Sequence, residues 1–479
     1  MLFNSWQFAI FLPIVFAVYW SVPQRFRWLV ILISSYWFYM SWNVKYVTLI
    51  LFTTFISYLA AILLERFNKN KAMKKIILAL TLIACLSVLF TFKYFNFFSQ
   101  SFIEFMHLFA IHIHPVTLKL LLPVGISFYT FQTLGYVIDV YRGTTKPEKH
   151  FGIYAAFISF FPQLVAGPIE RTNNLLPQIK AYHEFKYEQA VYGLKLMTWG
   201  FFKKLCIADI LAIHSDKIFN DIYSYKGFAL IIAAFFFTVQ IYCDFSGYSD
   251  IARGCSNLFG IELMHNFRSP YFASSIREFW SRWHISLSTW FRDYVYIPLG
   301  GNRVSRFRHK INIMITFIVS GLWHGANWTF VIWGTLHGLA QITENAFVRR
   351  DDIHGFKRAL RVCITFLFCM FAWVFFRANN ISEALYFFGH LFEGITDVKA
   401  YFILNGIEIF ALELSTAVRI TGSIIFLAIW DYISVKRDVI SLITSQKYFI
   451  FRYAFYFGIL TLLILYRASG NIQFVYFQF

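Results

Sequence analysis

The sequence predicts an all-α polytopic membrane protein with about 11 transmembrane helices and additional re-entrant and interfacial helices. Two observations support this fold class. Hydrophobic residues make up 58% of the 479 residues and charged residues 14%, and the mean hydropathy is +0.56. Apolar runs long enough to cross a bilayer also recur from one end of the chain to the other. We therefore expect residues 1–479 to form one integral membrane domain.

Basic residues orient the predicted spans, because Lys and Arg concentrate in the cytoplasmic loops of membrane proteins. The loop after the third span carries five basic residues against the single acid Glu65, so we place it in the cytoplasm and the N-terminus outside. The net charge of +18 is accordingly a topology signal and does not indicate nucleic-acid binding. The first five spans are predicted at residues 5–21, 28–44, 46–64, 76–97 and 116–139.

The middle of the chain is less regular. Residues 151–168 are apolar but contain two prolines and a glycine, which favours a re-entrant or buried segment over a plain span. Residues 183–220 mix basic and aromatic positions and indicate amphipathic helices at the interface. Residues 256–310 are too polar for simple spans, so interfacial or buried helices are predicted there.

The remaining spans follow from the same rules. The loop that ends at Lys310 has four basic residues and no acid, so we expect it in the cytoplasm. A hairpin that goes out and returns should follow, with His324 near its turn. The acid-rich segment 378–416 and the C-terminus are placed outside. These spans are predicted at 227–246, 311–343 (the hairpin), 360–377, 417–434 and 451–466.

His324 is the first candidate catalytic residue. It lies in the run SGLWHGANWTF, where an ionisable side chain ends an apolar segment. An ionisable residue inside a membrane segment is a functional hypothesis by default, and histidine suits general-base catalysis near neutral pH. The alternative is a core histidine that is hydrogen-bonded to a neighbouring helix.

His284 is the second candidate and lies in REFWSRWHISLSTWFRDYVYIPLGG, which indicates one amphipathic helix followed by a turn. Arginines near it, Arg282 among them, could bind the phosphates of a nucleotide-bearing donor. The alternative is a solvated interfacial helix with ion pairs within the helix. His337 and His390 have no clustered partners in the sequence, and we expect both to be structural.

Two further motifs carry open alternatives. Asp244 and Ser246, in YCDFSGYSD, could line a polar cavity or act in a turn or helix cap. The C-terminal aromatic motif, residues 474–479, contains Tyr476, which could be a hydroxyl nucleophile if the tail folds back, or part of an interfacial anchor. The six cysteines form no CxxC pair and mostly lie in apolar runs, so we expect core packing. Metal binding is the weaker alternative for His284 and His324, which have no HExxH or Cys/His spacing, so we expect no metal. We also expect no tightly bound cofactor.

The chain resembles the membrane-bound O-acyltransferases, most closely the bacterial branch that acts in alginate and peptidoglycan O-acetylation. The resemblance runs nearly from end to end. Its motifs are LFNSWQFAIFLPIVFAVYW at the start, PVGISFYTFQTLGYVIDVYRG, FFPQLVAGPIER, YCDFSGYSDIARG, NFRSPYFASSIREFWSRWHISLSTWFRDYVYIPLGGNR, SGLWHGANWTFVIWGTLHG, WVFFRA and the closing FVYFQF.

This resemblance implies a ring of helices around a thinned centre, where funnels from both faces meet at the catalytic histidine. His324 is then the catalytic residue and His284 supports it. The tail is similar to a motif that carries a tyrosine acyl acceptor on a small partner in teichoic-acid D-alanylation, so the resemblance makes an acyl relay at Tyr476 an equal alternative to the anchor. The expected substrate-binding residues are Trp283, Arg282, Trp323, Asn327, Asp244 and Ser246.

The resemblance also implies the reaction. Acetyl-CoA, the expected acyl-CoA donor, approaches from the cytoplasm, and the acyl group is passed across the bacterial cytoplasmic (inner) membrane. The acceptor is a secreted polysaccharide resembling alginate, reached with the help of a secreted or periplasmic acetyltransferase partner, and membrane lipid surrounds the chain. Peptidoglycan O-acetylation is the alternative. A transporter or a non-enzymatic scaffold of a secretion complex is a weaker one.

Overall fold

The computed structural model describes residues 1–114, 116–347, 354–410, 413–466 and 474–475. These ranges are helices and their connections, without a β-strand. The prediction of an all-α membrane protein is confirmed, while the count of about 11 spans stays a prediction. The chain divides into two compact units, unit 1 (residues 1–197 and 251–264) and unit 2 (residues 198–250 and 265–479).

Six helices in the described ranges are long and apolar enough to cross a membrane. All of them fall where the sequence predicts a span, although their ends differ from the predicted ones. They are Val44–Arg66, Lys71–His107, Phe228–Asn257, Gly355–Arg377, Leu414–Ser434 and Phe449–Tyr466. The first predicted span corresponds to a shorter apolar helix, Trp6–Ser21.

In the described part of unit 1, ten α-helices begin. They are α1 (Trp6–Ser21), α2 (Gln24–Met40), α3 (Val47–Arg66), α4 (Lys71–Leu89), α5 (Phe95–His107), α6 (Ile126–Arg142), α7 (Phe151–Ser159), α8 (Phe161–Leu164), α9 (Thr172–Lys180) and α10 (Tyr187–Phe201). The core of this unit is aromatic: the rings of Tyr136 and Tyr154 lie 4.5 Å apart. The Tyr154 hydroxyl lies 2.7 Å from Ser57 Oγ, so the polar end of a buried ring is hydrogen-bonded.

The fourth and fifth predicted spans have different limits in the structure. A π-helical turn joins α4 to α5, so the helix continues to His107, beyond the predicted end at residue 97. No Gly or Pro interrupts residues 71–107, which explains the continuation. The helix of the fifth predicted span, α6, begins only at Ile126, because Pro123 and Gly125 precede it. Gly125 has φ +76°, and a Cβ there would crowd the carbonyl oxygen of Leu164.

The apolar segment 151–168 contains the break that its sequence predicts. Helix α7 ends at Ser159 and α8 begins at Phe161, with the intervening Phe160 outside helical geometry. The buried start of α8 is capped from α2, since Ser35 Oγ accepts a hydrogen bond from the Phe161 N–H over 3.0 Å. The break at this place is therefore confirmed, and its re-entrant position in the membrane stays a prediction.

A buried carboxylate organises the end of this segment. Glu170 is 2% exposed and accepts hydrogen bonds of 2.6 Å from the backbone N–H of Met264 and from Asn174 Nδ2. Burial raises the pKa of Glu170 to about 7, because removal from water penalises the charged form.

Within the residues of unit 2 that the structure describes, eleven α-helices begin. They are α11 (Asp209–Phe219), α12 (Phe228–Asn257), α13 (Ile276–Arg282), α14 (Ile285–Phe291), α15 (Arg306–His324), α16 (Trp328–Phe347), α17 (Gly355–Arg377), α18 (Ile381–Gly389), α19 (Leu414–Ser434), α20 (Val439–Thr444) and α21 (Phe449–Tyr466). Helices α15 and α16 form the hairpin predicted at 311–343, and His324 ends its first arm as expected. Five of the six cysteines are buried, as core packing predicts, and Cys363 is exposed.

Candidate functional site

The hairpin of α15 and α16 fixes the position of His324. The two helices approach closely at two glycines: a Cβ at Gly321 would overlap the carbonyl oxygen of Phe330, and one at Gly334 would overlap that of Phe317. Small residues allow such backbone contact between membrane helices. His324 follows Gly321 by three residues and is 3% exposed, so close helix packing holds its imidazole inside the unit.

Aromatic rings enclose the His324 side chain. Its ring centre lies 5.1 Å from that of Trp333 and 5.2 Å from that of Phe376. A second layer continues inward, because Trp373 lies 5.5 Å from Trp333. We define the aromatic cage as the three rings that contact His324 and the two that pack behind them; the first are Trp323, Trp333 and Phe376, and the second are Trp373 and Trp283. Such walls exclude water, and electrostatic interactions are stronger in a medium of low polarity.

His284 lies at the break between α13 and α14, so the prediction of one continuous amphipathic helix is wrong here. Its backbone is left-handed, with φ +43°, a conformation that histidine adopts more readily than most residues. The side chain is 0% exposed, which also excludes the solvated interfacial helix. Burial lowers the pKa of His284 to about 3, so the imidazole is neutral at physiological pH.

The structure brings the two predicted histidines together. Their ring centres lie 6.5 Å apart, although 40 residues separate them in sequence. The Nδ1 atom of His284 lies 3.0 Å from Asn266 Oδ1, and the ring of Phe245 meets its imidazole edge at 4.6 Å. Two imidazoles at this separation in a dry cage can act on one bound group.

The arginines near His284 form ion pairs. Arg282 contacts Glu278 over 2.6 Å, one turn away in α13, and Arg292 contacts Asp293 over 2.7 Å. Only the Arg282–Glu278 pair has the i,i+4 spacing of the ion pairs that the alternative predicted within a helix. Binding of donor phosphates by Arg282 stays a prediction.

The three other candidates next to the histidines have different surroundings. Trp283 is buried against Phe267 and Trp373, with ring centres 5.1 Å and 4.9 Å away. Trp323 faces both histidines, 4.9 Å from His324 and 5.9 Å from His284. Asn327 braces the hairpin turn: its Nδ2 donates to the Asn379 carbonyl oxygen over 2.7 Å, and its Oδ1 accepts from the Thr329 N–H over 3.0 Å.

Asp244 and Ser246 lie inside α12, so the alternative of a turn or cap role is wrong. They belong to a buried charge cluster that we define as Lys203, Lys204, Asp209, Asp244, Ser246 and Asp250. Lys204 Nζ lies 2.7 Å from both Asp209 and Asp244. Lys203 Nζ lies 2.7 Å from Asp250 and 2.9 Å from Ser246 Oγ. Buried charges persist where they are paired in this way.

The C-terminal tail reaches the buried charge cluster. Phe474 and Val475 are both buried, and the Val475 N–H donates to Asp244 Oδ2 over 2.7 Å. The Phe474 ring lies 5.1 Å from Tyr248 and 6.0 Å from Phe245, the same ring that contacts His284. The tail therefore folds back into unit 2 as far as Val475. Tyr476 lies outside the described residues.

Sequence reasoning missed Lys203, Lys204 and Asn266. The two lysines had a signal, because they interrupt the apolar run FFKKLCIA, and a charge in such a run requires a partner. Asn266 had none, since an asparagine in a polar connection is ordinarily a turn residue.

Buried, adjacent imidazoles among membrane-type helices are the arrangement expected of one class of protein, a membrane enzyme that uses proton transfer away from bulk water. The comparisons with known proteins agree with this class. The sequence model of "MBOAT, membrane-bound O-acyltransferase family" matches residues 149–384, the part of the chain that holds both histidines and the buried charge cluster.

Several curated relatives extend over most of the chain. The probable alginate O-acetylase AlgI of Azotobacter vinelandii is 40% identical over 82% of this chain and 78% of its own length. The peptidoglycan O-acetyltransferase of Helicobacter pylori is 38% identical over 80% of this chain and 78% of its own. The teichoic acid D-alanyltransferase of Streptococcus thermophilus is 31% identical over 53% and 65%.

The chain therefore belongs to the membrane-bound O-acyltransferase family. It is an acyltransferase and a multi-pass membrane protein, and the sequence-based predictions of family, fold class and enzyme class are confirmed.

Proposed function

We propose that this acyltransferase transfers an acetyl group from acetyl-CoA, a co-substrate that approaches from the cytoplasm, to a hydroxyl of a secreted or cell-wall polysaccharide. The observation that supports it most is the neutral His284 beside His324 inside the aromatic cage. The names of the relatives that act on alginate and on peptidoglycan support acetyl as the group and a polysaccharide as the acceptor.

In the proposed reaction His324 is the general base. It takes the proton from an acceptor hydroxyl, whose oxygen then attacks the thioester carbonyl carbon. The carbon–sulfur bond breaks, and the thiolate that leaves receives the proton held by His324, so the products are an acetyl ester and CoA. The dry cage strengthens the interactions that stabilise the charge developing during the attack.

Tyr476 is the proposed first acceptor, so that its acetyl ester relays the group towards the outer face. Val475, the residue before it, is hydrogen-bonded to Asp244, and Phe474 contacts Phe245, which in turn contacts His284. These contacts support a tail held near the histidines. A second hydroxyl, on the polysaccharide or on a secreted acetyltransferase partner, would then take the acetyl group from the tyrosine.

The candidate substrate-binding residues take parts in this scheme that follow from their positions. Trp283 and Trp323 belong to the aromatic cage and are proposed to line the acyl site. Asp244 and Ser246 are proposed to act on the tail, and Asn327 on the hairpin turn. Arg282 is proposed to face the donor, and its pairing with Glu278 would have to be exchanged for a phosphate contact.

We prefer one acceptor polysaccharide and one membrane location for the protein. An exopolysaccharide resembling alginate is the preferred acceptor, since four probable alginate O-acetylases are 37% to 40% identical to this chain, and peptidoglycan is the second candidate. The bacterial inner membrane, with both termini outside, is the proposed location. Fusion of a reporter that is active on one side only to residue 479 tests the orientation.

The test of the reaction is mass spectrometry of the purified full-length protein after incubation with isotopically labelled acetyl-CoA. We expect label on the peptide that contains Tyr476, no label there in Tyr476→Phe, and no acetyl transfer in His324→Ala. His390→Ala is the control, because that histidine lies outside the aromatic cage. Acetyl transfer by correctly inserted His324→Ala would contradict the proposed role of His324.

The same preparation separates the enzyme from its rivals. A transporter would move substrate into liposomes without forming a covalent acetyl product. A scaffold would tolerate changes at both histidines while its deletion abolished O-acetylation in cells. Either result would overturn the proposed reaction.

A further inference from the structure

We infer that Asn266 is a positioning residue that holds His284 in the tautomer protonated on Nδ1, so that Nε2 is a hydrogen-bond acceptor. The inference assigns the proton on a histidine to one nitrogen. It rests on the proposed function only in placing His284 beside the reacting groups, and its structural part can be tested without any measurement of activity.

Helix α14 is capped by a residue outside the helix, Asn266. The first backbone N–H groups of a helix have no partner within the helix, and the N-cap residue normally supplies one. Here the N-cap is His284, whose left-handed backbone leaves its side chain without a capping hydrogen bond. Asn266 supplies the acceptors instead. Its backbone carbonyl oxygen accepts from the Ile285 N–H over 2.9 Å, and its side-chain Oδ1 accepts from the Ser286 N–H over 3.2 Å.

This capping fixes which way the Asn266 amide points. The oxygen and nitrogen of an amide are told apart by their hydrogen-bond partners, and a backbone N–H can only donate. With the amide reversed, Nδ2 would face the Ser286 N–H, and this buried donor would lose its acceptor, which is unfavourable. The Ser286 hydroxyl also donates to Oδ1, over 2.9 Å, and Nδ2 donates to Ser249 Oγ over 3.3 Å.

The orientation of Asn266 then determines the tautomer of His284. The same Oδ1 lies 3.0 Å from His284 Nδ1, and an acceptor oxygen requires a donor opposite it. A neutral imidazole has a single N–H, so with Nδ1 protonated the lone pair is on Nε2. Burial keeps the ring neutral by lowering the pKa of His284 to about 3.

The tautomer limits what His284 can do. A neutral ring with its lone pair on Nε2 accepts a hydrogen bond or a proton there, and it cannot donate from that nitrogen to an oxyanion. The two histidines, 6.5 Å apart, therefore have unequal parts: His324 reacts, and His284 holds the O–H or N–H of a group by accepting from it. Loss of the Oδ1 atom should release this constraint.

The test is nitrogen NMR of the full-length protein, labelled with ¹⁵N-histidine and reconstituted in lipid. Subtraction of the His284→Gln spectrum assigns the His284 signals. We expect a protonated Nδ1 and an unprotonated Nε2 on His284, unchanged in Ser249→Ala, which leaves every contact of Oδ1 in place. A protonated Nε2 with an unprotonated Nδ1 in the wild-type protein would overturn the inference.

Two variants at the same position connect the tautomer to the reaction. Asn266→Ala should mix the tautomers and lower kcat for acetyl transfer about 10- to 100-fold, with a smaller change in KM. Asn266→Asp keeps an acceptor oxygen and should restore the wild-type tautomer and most of kcat. Mixed tautomers with unchanged kcat would contradict the role in catalysis and leave the proposed function standing, whereas loss of transfer in wild-type protein of the expected tautomer would contradict only the proposed function.

Discussion

Asp244 accepts a hydrogen bond of 2.7 Å from the Val475 backbone N–H with one carboxylate oxygen, and its other oxygen lies 2.7 Å from Lys204 Nζ. Residues 231 positions apart are thereby joined through a side chain that is 2% exposed. Lys204 also contacts Asp209, whose pKa burial raises to about 7. Asp244 therefore links the C-terminal tail to the buried charge cluster.

Asp244→Asn should loosen the tail and destabilise unit 2. The amide keeps the size of the side chain but removes one negative charge from Lys204, and breaking a buried ion pair costs about 3–5 kcal/mol. Since Asp209 still pairs with Lys204, we expect a loss near the lower end. Thermal unfolding in detergent measures the stability, and carboxypeptidase digestion followed by intact mass measures how fast Val475 becomes accessible.

The control for this variant is Asp221→Asn, which removes a charge from an exposed position. Surface substitutions of this kind usually change stability by less than about 0.5 kcal/mol. Equal melting temperatures and equal digestion rates for the two variants would show that Asp244 does not hold the tail.

Gly321→Ala should distort the hairpin that positions His324. A Cβ at Gly321 would overlap the Phe330 carbonyl oxygen, and backbone cannot move aside as a flexible side chain can. Overpacking of this kind costs about 1–3 kcal/mol, so we expect a lower melting temperature and a loss of acetyl transfer.

Gly422→Ala in α19 is the matched control, because nothing lies within 4 Å of the added Cβ. There the substitution should stabilise the helix by about 0.5–1 kcal/mol, since alanine loses less backbone entropy than glycine. A Gly321→Ala protein that is as stable and active as the control would refute the close approach of α15 and α16.

Arg377→Met should weaken the support behind the aromatic cage. Arg377 Nη2 donates to Asp216 Oδ1 over 2.6 Å and to Asn220 Oδ1 over 2.9 Å, and its neighbour Phe376 contacts His324. Hydrogen bonds to charged groups contribute about 1.5–3 kcal/mol, so we expect a stability loss of this size. Arg377→Lys keeps the charge and should lose about half as much, whereas no loss in Arg377→Lys would assign the effect to charge alone.

Sequence reasoning selected His324 and His284 as candidates, and the structure places their ring centres 6.5 Å apart. His324 could be found because it ends an apolar run, which is visible in the sequence alone. Sequence reasoning also located the hairpin of α15 and α16, since a long apolar segment predicts a helix whatever its neighbours in the fold are. It failed at His284, where an amphipathic pattern covers two helices. The amphipathic pattern indicates which residues are buried. The break between α13 and α14 depends instead on a capping partner, Asn266, which lies 18 residues before His284.

The charge cluster shows a second limit of sequence reasoning. Lys203 and Asp250 are 47 residues apart, and their pairing depends on how α12 packs against the π-helical turn that precedes α11. A lysine in an apolar run, such as Lys203 or Lys204, predicts that a carboxylate lies near it, but several acidic residues in the sequence are candidates. Likewise the tail motif predicted a possible return to the site, while its contact with Asp244 required the fold.

The buried imidazole of His284 should make the stability of the folded protein depend on pH. Its pKa is lowered to about 3 in the folded protein, against about 6.5 in an unfolded chain. Below the unfolded value the unfolded state binds the extra proton, so this contribution is fully present above about pH 6.5 and is lost as the pH falls towards 3. Between about pH 7.5 and about pH 5 the loss should reach about 2 kcal/mol.

Other groups titrate in the same range and must be separated from this effect. Burial raises the pKa of Glu170 and of Asp209 to about 7, so the folded state binds more protons at these sites and they oppose His284 as the pH falls. They are common to the wild-type protein and His284→Gln, and so they cancel in the difference between the two. We expect melting temperatures of the variant to fall less steeply with acidification than those of the wild type, and parallel curves would mean that His284 is protonated to the same extent in the folded and unfolded protein.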